Sequence, residues 1–324
     1  TMASLKNKSI LVTGGAGFIG SHVVDAIIKE QSEKLVVASN LFLGKLENLE
    51  DAKKNYPNLK IVKQDMTDLD GVELLFNEHN FDIVFNLAVV PLPTSLVRPK
   101  WTYLQNVNIT AHILELARKG AFKTLIQFSS SEAYGSAKYV PMDESHPLDP
   151  TTPYAASKAA TDQMTISYQR TFGLDASIIR PFNTYGPRQN ARQFAGFIPL
   201  TVSRILRNED LVIFGDGLQT RDWIYVEDTA RGSVEAAKHE STRGKIMNIA
   251  SGKETTINDL MKIIVEHTGY NKPIIYKEAR AADVRRHYAD IKLAKELIGF
   301  EPEYSIDKGV KKTVEWYINH KEVF

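Results

Sequence analysis

The chain contains no cysteine, which excludes a disulfide framework and a zinc site built on thiolates. It also lacks a charge excess, because 40 Lys and Arg residues against 39 Asp and Glu residues leave a formal net charge of +1. We therefore expect no nucleic-acid partner, and no membrane partner either, since no apolar run approaches the roughly 20 residues of a spanning helix. Residues 1–4 do not resemble a secretion signal, so we expect a cytoplasmic protein, and we expect no metal site.

Six short apolar runs alternate with amphipathic helical patterns over the first 180 residues. This alternation predicts an α/β doubly wound fold, a parallel sheet covered by helices on both faces. Ligands of such sheets bind beyond the carboxyl ends of the strands. After residue 181 the elements become shorter and the connections richer in Pro, Gly and Arg, which suggests a smaller α/β substrate domain. We predict strands at residues 8–13, 34–38, 59–63, 82–87, 123–128 and 175–180.

Glycines follow the first predicted strand and precede a helical pattern. Gly14, Gly15, Gly17 and Gly20 fit two spacings of the dinucleotide-binding fingerprint of Rossmann folds. One glycine would make the tight turn, one would admit the pyrophosphate, and Gly20 would let helix and strand approach closely. The helix N-terminus would then face the phosphates with unpaired N–H groups. Taken alone, the motif is also typical of an ordinary turn between a strand and a helix.

Tyr154 and Lys158 stand four residues apart in a helical pattern, so they share one face of the helix. A phenol with a pKa of about 10 is a poor base at neutral pH until a neighbouring ammonium lowers that pKa. Ser130, 24 residues before Tyr154, would hydrogen-bond the same substrate hydroxyl. Together with the glycine fingerprint, the pair predicts a redox enzyme in which these three residues are catalytic.

Further motifs run along the chain in a fixed order. They are Thr13-Gly-Gly-Ala-Gly-Phe-Ile-Gly20, Asn86-Leu-Ala88, Ser129-Ser-Ser-Glu-Ala-Tyr-Gly135, Tyr154-Ala-Ala-Ser-Lys158, Arg180-Pro-Phe-Asn-Thr-Tyr-Gly-Pro-Arg188, Gln219-Thr-Arg-Asp-Trp-Ile-Tyr-Val-Glu-Asp228 and Arg280-Ala-Ala-Asp283. In this order they resemble the extended short-chain dehydrogenase/reductases of the nucleotide-sugar epimerase and dehydratase family, nearly from end to end. The match is specific for the family and not for the reaction.

The resemblance implies a tightly bound NAD or NADP. Ser39 stands where NAD-using relatives usually carry an acid, so its lack of charge leaves NADP open, while family habit favours NAD. Asp65 and Met66 resemble the pair that reads the adenine, and Val89 replaces the family's usual second alanine. The implied cofactor-binding residues are Gly14, Gly17, Phe18, Ile19, Gly20, Ser39, Asn40, Asp65, Met66, Leu87, Ala88, Lys158 and Pro181.

Cationic residues dominate the implied substrate site. Arg221 and Arg280 match positions where relatives hold a nucleotide diphosphate, a task suited to the bidentate guanidinium group. Asn183 matches the residue that contacts the sugar phosphate, Asp283 lies beside the diphosphate in relatives, and Arg192 is a further candidate. The resemblance therefore implies a nucleoside-diphosphate sugar as substrate, with UDP as the commonest nucleotide in the family.

Ser130, Ser131 and Glu132 bear on the reaction. Family dehydratases carry Thr-Asp-Glu or Thr-Ser-Glu here, whereas epimerases often lack the acid. Oxidation at sugar carbon 4 makes the carbon 5 proton acidic, and Glu132 would remove that proton as water leaves carbon 6. Ser131 replaces the aspartic acid with which many dehydratases protonate the departing hydroxyl, and serine is a poor acid for this task.

The motifs are most similar to those of hexosamine-type 4,6-dehydratases, which favours a UDP-N-acetylhexosamine-like substrate. A UDP-sugar 4-epimerase, acting on UDP-glucose or UDP-N-acetylglucosamine, is the alternative. An enzyme that forms or consumes a 5,6-unsaturated nucleotide sugar would use the same groups. Decarboxylation of a uronic acid has no obvious dedicated motif here, and Glu132 also fits a role as the cap of the turn that follows it.

The resemblance also implies how the chain is organised. Helix 227–239 and the strand 245–249 would return to the first domain, so the domains would be interleaved. The dinucleotide-binding domain would comprise residues 1–181 plus about 225–250, and the nucleotide-sugar domain about 182–224 plus 251–324. Relatives commonly form homodimers through two helices, which correspond here to about 101–119 and 152–171.

Overall fold

The computed structural model describes residues 1–192, 195–281 and 284–324. The strands are β1 (Ser9–Thr13), β2 (Lys34–Ser39), β3 (Lys60–Lys63), β4 (Ile83–Asn86), β5 (Thr124–Phe128), β6 (Asp175–Pro181), β7 (Asn183–Tyr185), β8 (Val212–Phe214), β9 (Thr220–Arg221), β10 (Trp223–Tyr225), β11 (Ile246–Ile249), β12 (Thr255–Thr256) and β13 (Ile275–Lys277). The helices are α1 (Phe18–Ile28), α2 (Glu50–Asn55), α3 (Leu69–Glu78), α4 (Leu92–Val97), α5 (Pro99–Arg118), α6 (Pro153–Phe172), α7 (Phe197–Leu206), α8 (Val226–Lys238), α9 (Ile257–Thr268), α10 (Lys292–Ile298) and α11 (Ile306–Asn319). Within the described residues, none of the helices has both the length and the apolar character that a bilayer span requires.

In the described part of the chain, seven strands form one parallel sheet in the order β11-β6-β5-β4-β1-β2-β3. The chain starts in the middle, runs to one edge at β3, and then crosses back to build the other half from β4 onward. This arrangement confirms the predicted doubly wound α/β fold. The six predicted strands agree with β1 to β6 to within one residue at each end.

Side chains of the central strands alternate between two cores, one on each face of the sheet. Ile10 and Val12 of β1 pack in a core with α1 and α8, whereas Leu11 between them packs in a core with α3 and α5. All three are fully buried. Burial on both faces explains why the strands read as continuous apolar runs in the sequence.

A smaller core forms from the later part of the chain. Helices α7, α9 and α11 pack around Tyr185 and Tyr225. The short strand pairs β7–β10, β8–β13 and β9–β12 accompany this core. β11 nevertheless pairs with β6, with Ile246 beside Ile178, so the chain returns to the large sheet before it builds α9 and α11.

Buried polar side chains join the carboxyl ends of the central strands. Thr13 Oγ1 donates to Asn86 Oδ1 at 2.7 Å, and Asn86 Nδ2 donates to Gln127 Oε1 at 2.9 Å. Thr13 Oγ1 also accepts the backbone N–H groups of Leu87 and Ala88, each at 3.1 Å. The backbone that follows β4 is therefore held against the turn that follows β1.

Candidate active site

The turn between β1 and α1 depends on closely packed glycines. Gly14 has a φ of 67°, in the left-handed region that favours glycine, and donates its N–H to the carbonyl of Ala38 at 2.8 Å. A β-carbon on Gly14 would lie 2.8 Å from the backbone nitrogen of Ala88, and one on Gly20 would lie 2.1 Å from the carbonyl oxygen of Gly14. The start of α1 therefore lies closer to the turn than any side chain would permit.

A groove of about 2340 Å³ runs from this turn along the carboxyl edge of the sheet to α6. A glycine turn, a helix N-terminus and an apolar wall of strand ends in one elongated groove fit a dinucleotide. The structure places along this groove each of the residues for which cofactor contact is predicted: Gly14, Gly17, Phe18, Ile19, Gly20, Ser39, Asn40, Asp65, Met66, Leu87, Ala88, Lys158 and Pro181.

Two polar residues of the groove wall also hold local turns. Ser39 is buried, and its Oγ accepts the N–H of Leu41 at 3.1 Å. Asp65 Oδ1 accepts the backbone N–H of Thr67 at 2.9 Å and its hydroxyl at 2.7 Å. These hydrogen bonds fix the orientation of both side chains at the edge of the groove.

Helix α6 brings Tyr154 and Lys158 to the groove. The hydroxyl oxygen of Thr152 caps the first turn of this helix. Lys158 Nζ donates to the carbonyl of Phe128 at 3.1 Å and lies 5.9 Å from the centre of the Tyr154 ring. Burial lowers the pKa of Lys158 to about 8, and the negative charge of Asp162 opposes this effect.

A short 3₁₀ turn, Ser131–Tyr134, brings a carboxylate to the same place. Ser130 Oγ accepts the N–H of Glu132 at 3.1 Å and so fixes the start of the turn. Burial raises the pKa of Tyr154, the charge of Glu132 raises it further, and a hydrogen bond with Ser130 lowers it. Glu132 is exposed, but the protein atoms around it desolvate its carboxyl and so raise its pKa, whereas the charge of Arg221 lowers that pKa. The structure thus brings together four of the predicted site residues: Ser130, Glu132, Tyr154 and Arg221.

Arg221 is held in place by backbone and by its neighbour in sequence. Its Nη1 donates to the carbonyl oxygens of Thr220 at 2.6 Å and Val284 at 2.7 Å. The adjacent Asp222 is fully buried and accepts three hydrogen bonds from residues 251–252. These contacts fix the backbone that carries Arg221.

The other predicted site residues have varied surroundings. Ser131 is buried in the 3₁₀ turn, and Asn183 is half-buried at the start of β7. Arg280 is exposed, with its guanidinium 4.2 Å from the centre of the Phe214 ring. Asp283 lies outside the described residues. The Arg280–Phe214 pair offers a cation and an aromatic face side by side.

Arg192 makes its contacts at the C-terminal end of the chain. It is exposed, and its guanidinium donates to the carbonyl oxygens of Val323 at 3.3 Å and Glu322 at 3.4 Å. Arg192 and these two residues line the same groove. The structure therefore places Arg192 on the part of the groove wall that the C-terminal residues complete.

Two further residues lie near Arg221, and the sequence motifs do not by themselves indicate a role for either. The signal for Asp222 is its position inside the motif around Arg221. His287 is buried, and its ring centre lies 5.4 Å from that of Phe182. Burial and the charge of Arg221 lower the pKa of His287 to about 4. No sequence pattern indicates His287, because its neighbours come from distant parts of the chain.

Comparison with known proteins agrees with this geometry. The family model described as GDP-mannose 4,6 dehydratase matches residues 11–313. The chain belongs to this family. It is thus an enzyme of the extended short-chain dehydrogenase/reductase group that includes nucleotide-sugar epimerases and dehydratases, which confirms the resemblance seen in the sequence.

Relatives with different activities resemble the chain over nearly its whole length. A Methanocaldococcus jannaschii protein described as a putative UDP-glucose 4-epimerase is 36% identical over 312 residues, which are 96% of this chain and 99% of the relative. The crystal structure of UDP-glucose 4-epimerase from Thermotoga maritima with UDP-glucose has a TM-score of 0.89 and 36% identity, covering 97% of this chain and 99% of that one. The dTDP-glucose 4,6-dehydratase from Bacillus anthracis in complex with NAD has a TM-score of 0.86 and 31% identity, covering 98% of each chain. Similarity of this kind identifies the enzyme family but does not distinguish an isomerase from a lyase. That distinction depends on the residues of the site.

Proposed function

We propose that this protein is an NAD(P)-dependent nucleotide-sugar 4,6-dehydratase or a close relative that acts at sugar carbons 5 and 6. The position of Glu132 carries the proposal, since its charge acts on both Tyr154 and Arg221. Tyr154 is the group proposed to react at carbon 4, so a carboxylate beside it is suited to the adjacent carbon 5. Partial desolvation by the surrounding protein raises the pKa of Glu132, although the residue stays exposed to the site, and this makes its carboxylate a stronger base than a fully solvated one.

The first step of the proposed reaction oxidises carbon 4. The phenolate of Tyr154 accepts the proton of the carbon 4 hydroxyl, and Ser130 donates a hydrogen bond to the same oxygen. A bound nicotinamide dinucleotide supplies the hydride acceptor at carbon 4 and, later, the hydride for carbon 6. Because burial raises the pKa of Tyr154, the ammonium of Lys158 is needed to stabilise the phenolate.

The elimination step depends on Glu132. Once carbon 4 is a ketone, the Glu132 carboxylate takes the carbon 5 proton and the carbon 6 hydroxyl departs as water. Ser131 is a poor acid, whereas the protonated carboxyl of Glu132 can donate to the departing oxygen. A raised pKa favours that protonated form, so one residue serves both halves of the elimination. When hydride is added at carbon 6, carbon 5 takes up a proton that comes from solvent.

NAD is the favoured cofactor, and NADP is compatible with the same groove. The dehydratase from Bacillus anthracis was solved with NAD, which supports the first choice. Ser39 carries no charge that would repel a 2′-phosphate, and the exposed Lys45 on the groove wall is a nearby cation. The relative solved with NAD therefore favours NAD, and the groove residues are compatible with NADP.

A UDP-linked N-acetylhexosamine is the proposed substrate. Arg221 lies beside Glu132 and would bind the diphosphate, so the sugar would extend from it toward Tyr154. Arg280 and Phe214 would contact the phosphate and the base, since a guanidinium and an aromatic ring suit these two groups. The Thermotoga maritima relative, solved with UDP-glucose, supports UDP as the nucleotide.

A UDP-sugar 4-epimerase is the second candidate, and the relatives at 36% identity favour it. Epimerisation uses the same oxidation at carbon 4 by Tyr154 and needs no base at carbon 5. The two candidates therefore differ in what Glu132 does. An enzyme that forms a 5,6-unsaturated sugar would share the elimination by Glu132 but return the hydride to carbon 4 instead of carbon 6, and an enzyme that consumes such a sugar would use the same groups.

Mass spectrometry of the reaction products separates these candidates. Purified protein would be incubated with UDP-N-acetylglucosamine, UDP-glucose and dTDP-glucose in turn. A 4,6-dehydratase gives a product lighter by one water with a carbonyl at carbon 4, which borohydride reduces, whereas an epimerase gives a product of unchanged mass. A product that has lost water but has a carbon 5–carbon 6 double bond and no carbonyl would indicate the unsaturated sugar.

Interleaved domains are proposed with the same boundaries as the resemblance implies. Residues 1–181 plus about 225–250 would bind the dinucleotide, and about 182–224 plus 251–324 would bind the nucleotide sugar. Pairing of β11 with β6 supports this division. Limited proteolysis with and without UDP is the test, since cleavage that UDP suppresses should fall in the second set of residues.

A homodimer through α5 and α6 is also proposed. The two helices pack side by side, and apolar side chains remain exposed on both of them. Leu104 on α5 is 44% exposed and Phe172 on α6 is 52% exposed. Light scattering should give the mass of two chains for the wild type and of one chain for a Leu104→Lys variant.

A further inference from the structure

A buried ion pair lies one helical turn beyond Lys158. Asp162 of α6 is 0% exposed, and Arg180 of β6 is 2% exposed. The Nε and Nη2 atoms of Arg180 donate to Asp162 Oδ2 at 3.0 and 2.9 Å, and Ser129 Oγ donates to the same oxygen at 2.7 Å. Three donors on one oxygen stabilise the ionised carboxylate, although burial raises the pKa of Asp162.

A buried ion pair of this kind adds little net stability to a protein. Removing two charges from water costs free energy that their attraction often fails to recover, and apolar residues of similar volume would fill the space as well. Asp162 Oδ1 is buried and accepts no hydrogen bond among the described residues. Arg180 lies 4.7 Å from the centre of the fully buried Tyr134 ring. We therefore infer that the charges of Asp162 and Arg180 serve the adjacent site, which contains Lys158.

Two links connect Asp162 to Lys158. Ser129, which Asp162 holds, directly follows Phe128, and the carbonyl of Phe128 accepts the hydrogen bond of Lys158 Nζ. The second link is charge, because Asp162 is a carboxylate on the same helical face as Lys158, four residues further on. Burial lowers the pKa of Lys158 and the charge of Asp162 raises it.

Other titratable groups also surround this ammonium. Tyr154 lies on the same helix, Glu132 acts on Tyr154 from the turn after β5, and Arg180 approaches Asp162 from β6. Arg180 offsets part of the charge of Asp162. Asp162 is the carboxylate among these groups whose charge favours the protonated form of Lys158.

We propose that Asp162 is a positioning residue for the Tyr154–Lys158 pair: through Ser129 it fixes the carbonyl on which the ammonium of Lys158 rests, and its negative charge balances that ammonium. The inference rests on the proposed redox role of Tyr154 and Lys158. Asp162 itself touches neither substrate nor cofactor in this assignment. Its effect reaches the reaction through the protonation state and location of Lys158.

The titration of Lys158 in the full-length, cofactor-bound protein tests the inference. Protein labelled with carbon-13 at the lysine ε-carbon would be titrated by NMR, and the Lys158 signal would be assigned by its loss in a Lys158→Met variant. An Asp162→Asn variant keeps the size of the side chain and removes its charge. We expect the pKa of Lys158 in this variant to be lower than in the wild type by about one unit or more.

A matched control separates charge beside Lys158 from the general effect of losing a buried acid. Asp228 of α8 is 1% exposed and pairs with Arg231 at 2.8 Å. Asp228→Asn is expected to leave the titration of Lys158 unchanged. The alkaline limb of the rate against pH should move to lower pH in Asp162→Asn and stay in place in Asp228→Asn.

An unchanged pKa of Lys158 in Asp162→Asn, within about 0.3 unit, would overturn the inference. Should that variant fail to fold, the double variant Asp162→Asn, Arg180→Gln removes both charges; because Arg180 offsets part of the charge of Asp162, the pKa of Lys158 is expected to fall by less, and a pKa that does not fall would overturn the inference. The titration needs no turnover, so its outcome is independent of the reaction. Full activity in a Tyr154→Phe variant would instead overturn the proposed redox role.

Discussion

A β-carbon on Gly20 would lie 2.1 Å from the carbonyl oxygen of Gly14 and 2.9 Å from the α-carbon of Gly15. The start of α1 and the turn after β1 are thus in direct backbone contact. Backbone atoms cannot rotate away as the end of a flexible side chain can. A Gly20→Ala substitution must therefore push α1 away from the turn and open the groove at the helix N-terminus.

Gly20→Ala is expected to lose its bound cofactor and at least about 2 kcal/mol of unfolding free energy. Gly120→Ala is the matched control, since its added carbon meets no atom within 4 Å and bears only the cost of a φ of 78°, about 1 kcal/mol. Cofactor released on denaturation, quantified by chromatography, and thermal unfolding are the two readouts. Full cofactor content in Gly20→Ala would contradict the close-contact explanation.

His22 should make stability fall in acid. Its Nε2 lies 2.9 Å from the carbonyl oxygen of Pro187, and burial together with the charge of Arg188 lowers its pKa to about 3. The unfolded chain binds this proton near pH 6.5, so the stabilisation is fully present above that pH and is lost progressively as the pH falls toward 3. At pH 5 the loss is about 2 kcal/mol.

A His22→Gln variant checks this pH dependence, because glutamine can donate to the same carbonyl and does not titrate. Urea unfolding would be measured at several pH values between 7 and 4.5. The difference in unfolding free energy between wild type and variant should shrink as the pH falls. A difference that stays constant over this range would show that His22 does not titrate as the structure indicates.

Ser39 should control the choice between the two dinucleotides. A carboxylate at this position would repel a 2′-phosphate, whereas the serine hydroxyl does not. Ser39→Asp is expected to weaken NADP binding relative to NAD at least about tenfold, because the new carboxylate would repel the 2′-phosphate of NADP. Ser39→Ala is the control that removes the hydroxyl without adding charge. Calorimetric titration of cofactor-stripped protein gives both affinities, and an unchanged ratio in Ser39→Asp would place the 2′-hydroxyl elsewhere.

Asp222 is expected to support both stability and substrate binding. Its carboxylate accepts hydrogen bonds from residues 251–252 and from the N–H of Ala289, and burial raises its pKa to about 6. At pH 8 the group is ionised, and an Asp222→Asn variant would turn an amide N–H toward these donors. We expect a loss of about 2–3 kcal/mol in unfolding free energy and a raised KM, since Arg221 is the next residue. Unchanged KM with lowered stability would show that Arg221 is held without Asp222.

The sheet could be predicted from the sequence because each strand is buried on both faces. A continuous apolar run such as residues 10–12 therefore marks the strand directly, and the glycines after it mark the turn. The pairing of Tyr154 with Lys158 could also be predicted from the sequence, because residues four positions apart in a helix lie on the same face. These features depend on neighbours that are close along the chain.

Other features depend on contacts between distant segments and were not predictable in the same way. The hydrogen bond between Ser129 and Asp162 joins residues 33 positions apart. The charge of Arg221 acts on His287, which comes from another part of the chain. Arg192 stood out only as a cation near a motif, and its contacts with the C-terminal carbonyls needed the folded chain. The spacing of residues in the sequence does not indicate such long-range contacts, which become known only from the fold.

The role of Glu132 is tested most directly by the fate of the carbon 5 hydrogen. Wild type and Glu132→Gln would be incubated with UDP-N-acetylglucosamine in deuterated water and followed by NMR and mass spectrometry. We expect the wild type to lose water and to carry deuterium at carbon 5, and Glu132→Gln to react at least about 100-fold more slowly. A carbon 4 epimer without deuterium, formed equally fast by both proteins, would contradict the dehydratase assignment and identify an epimerase.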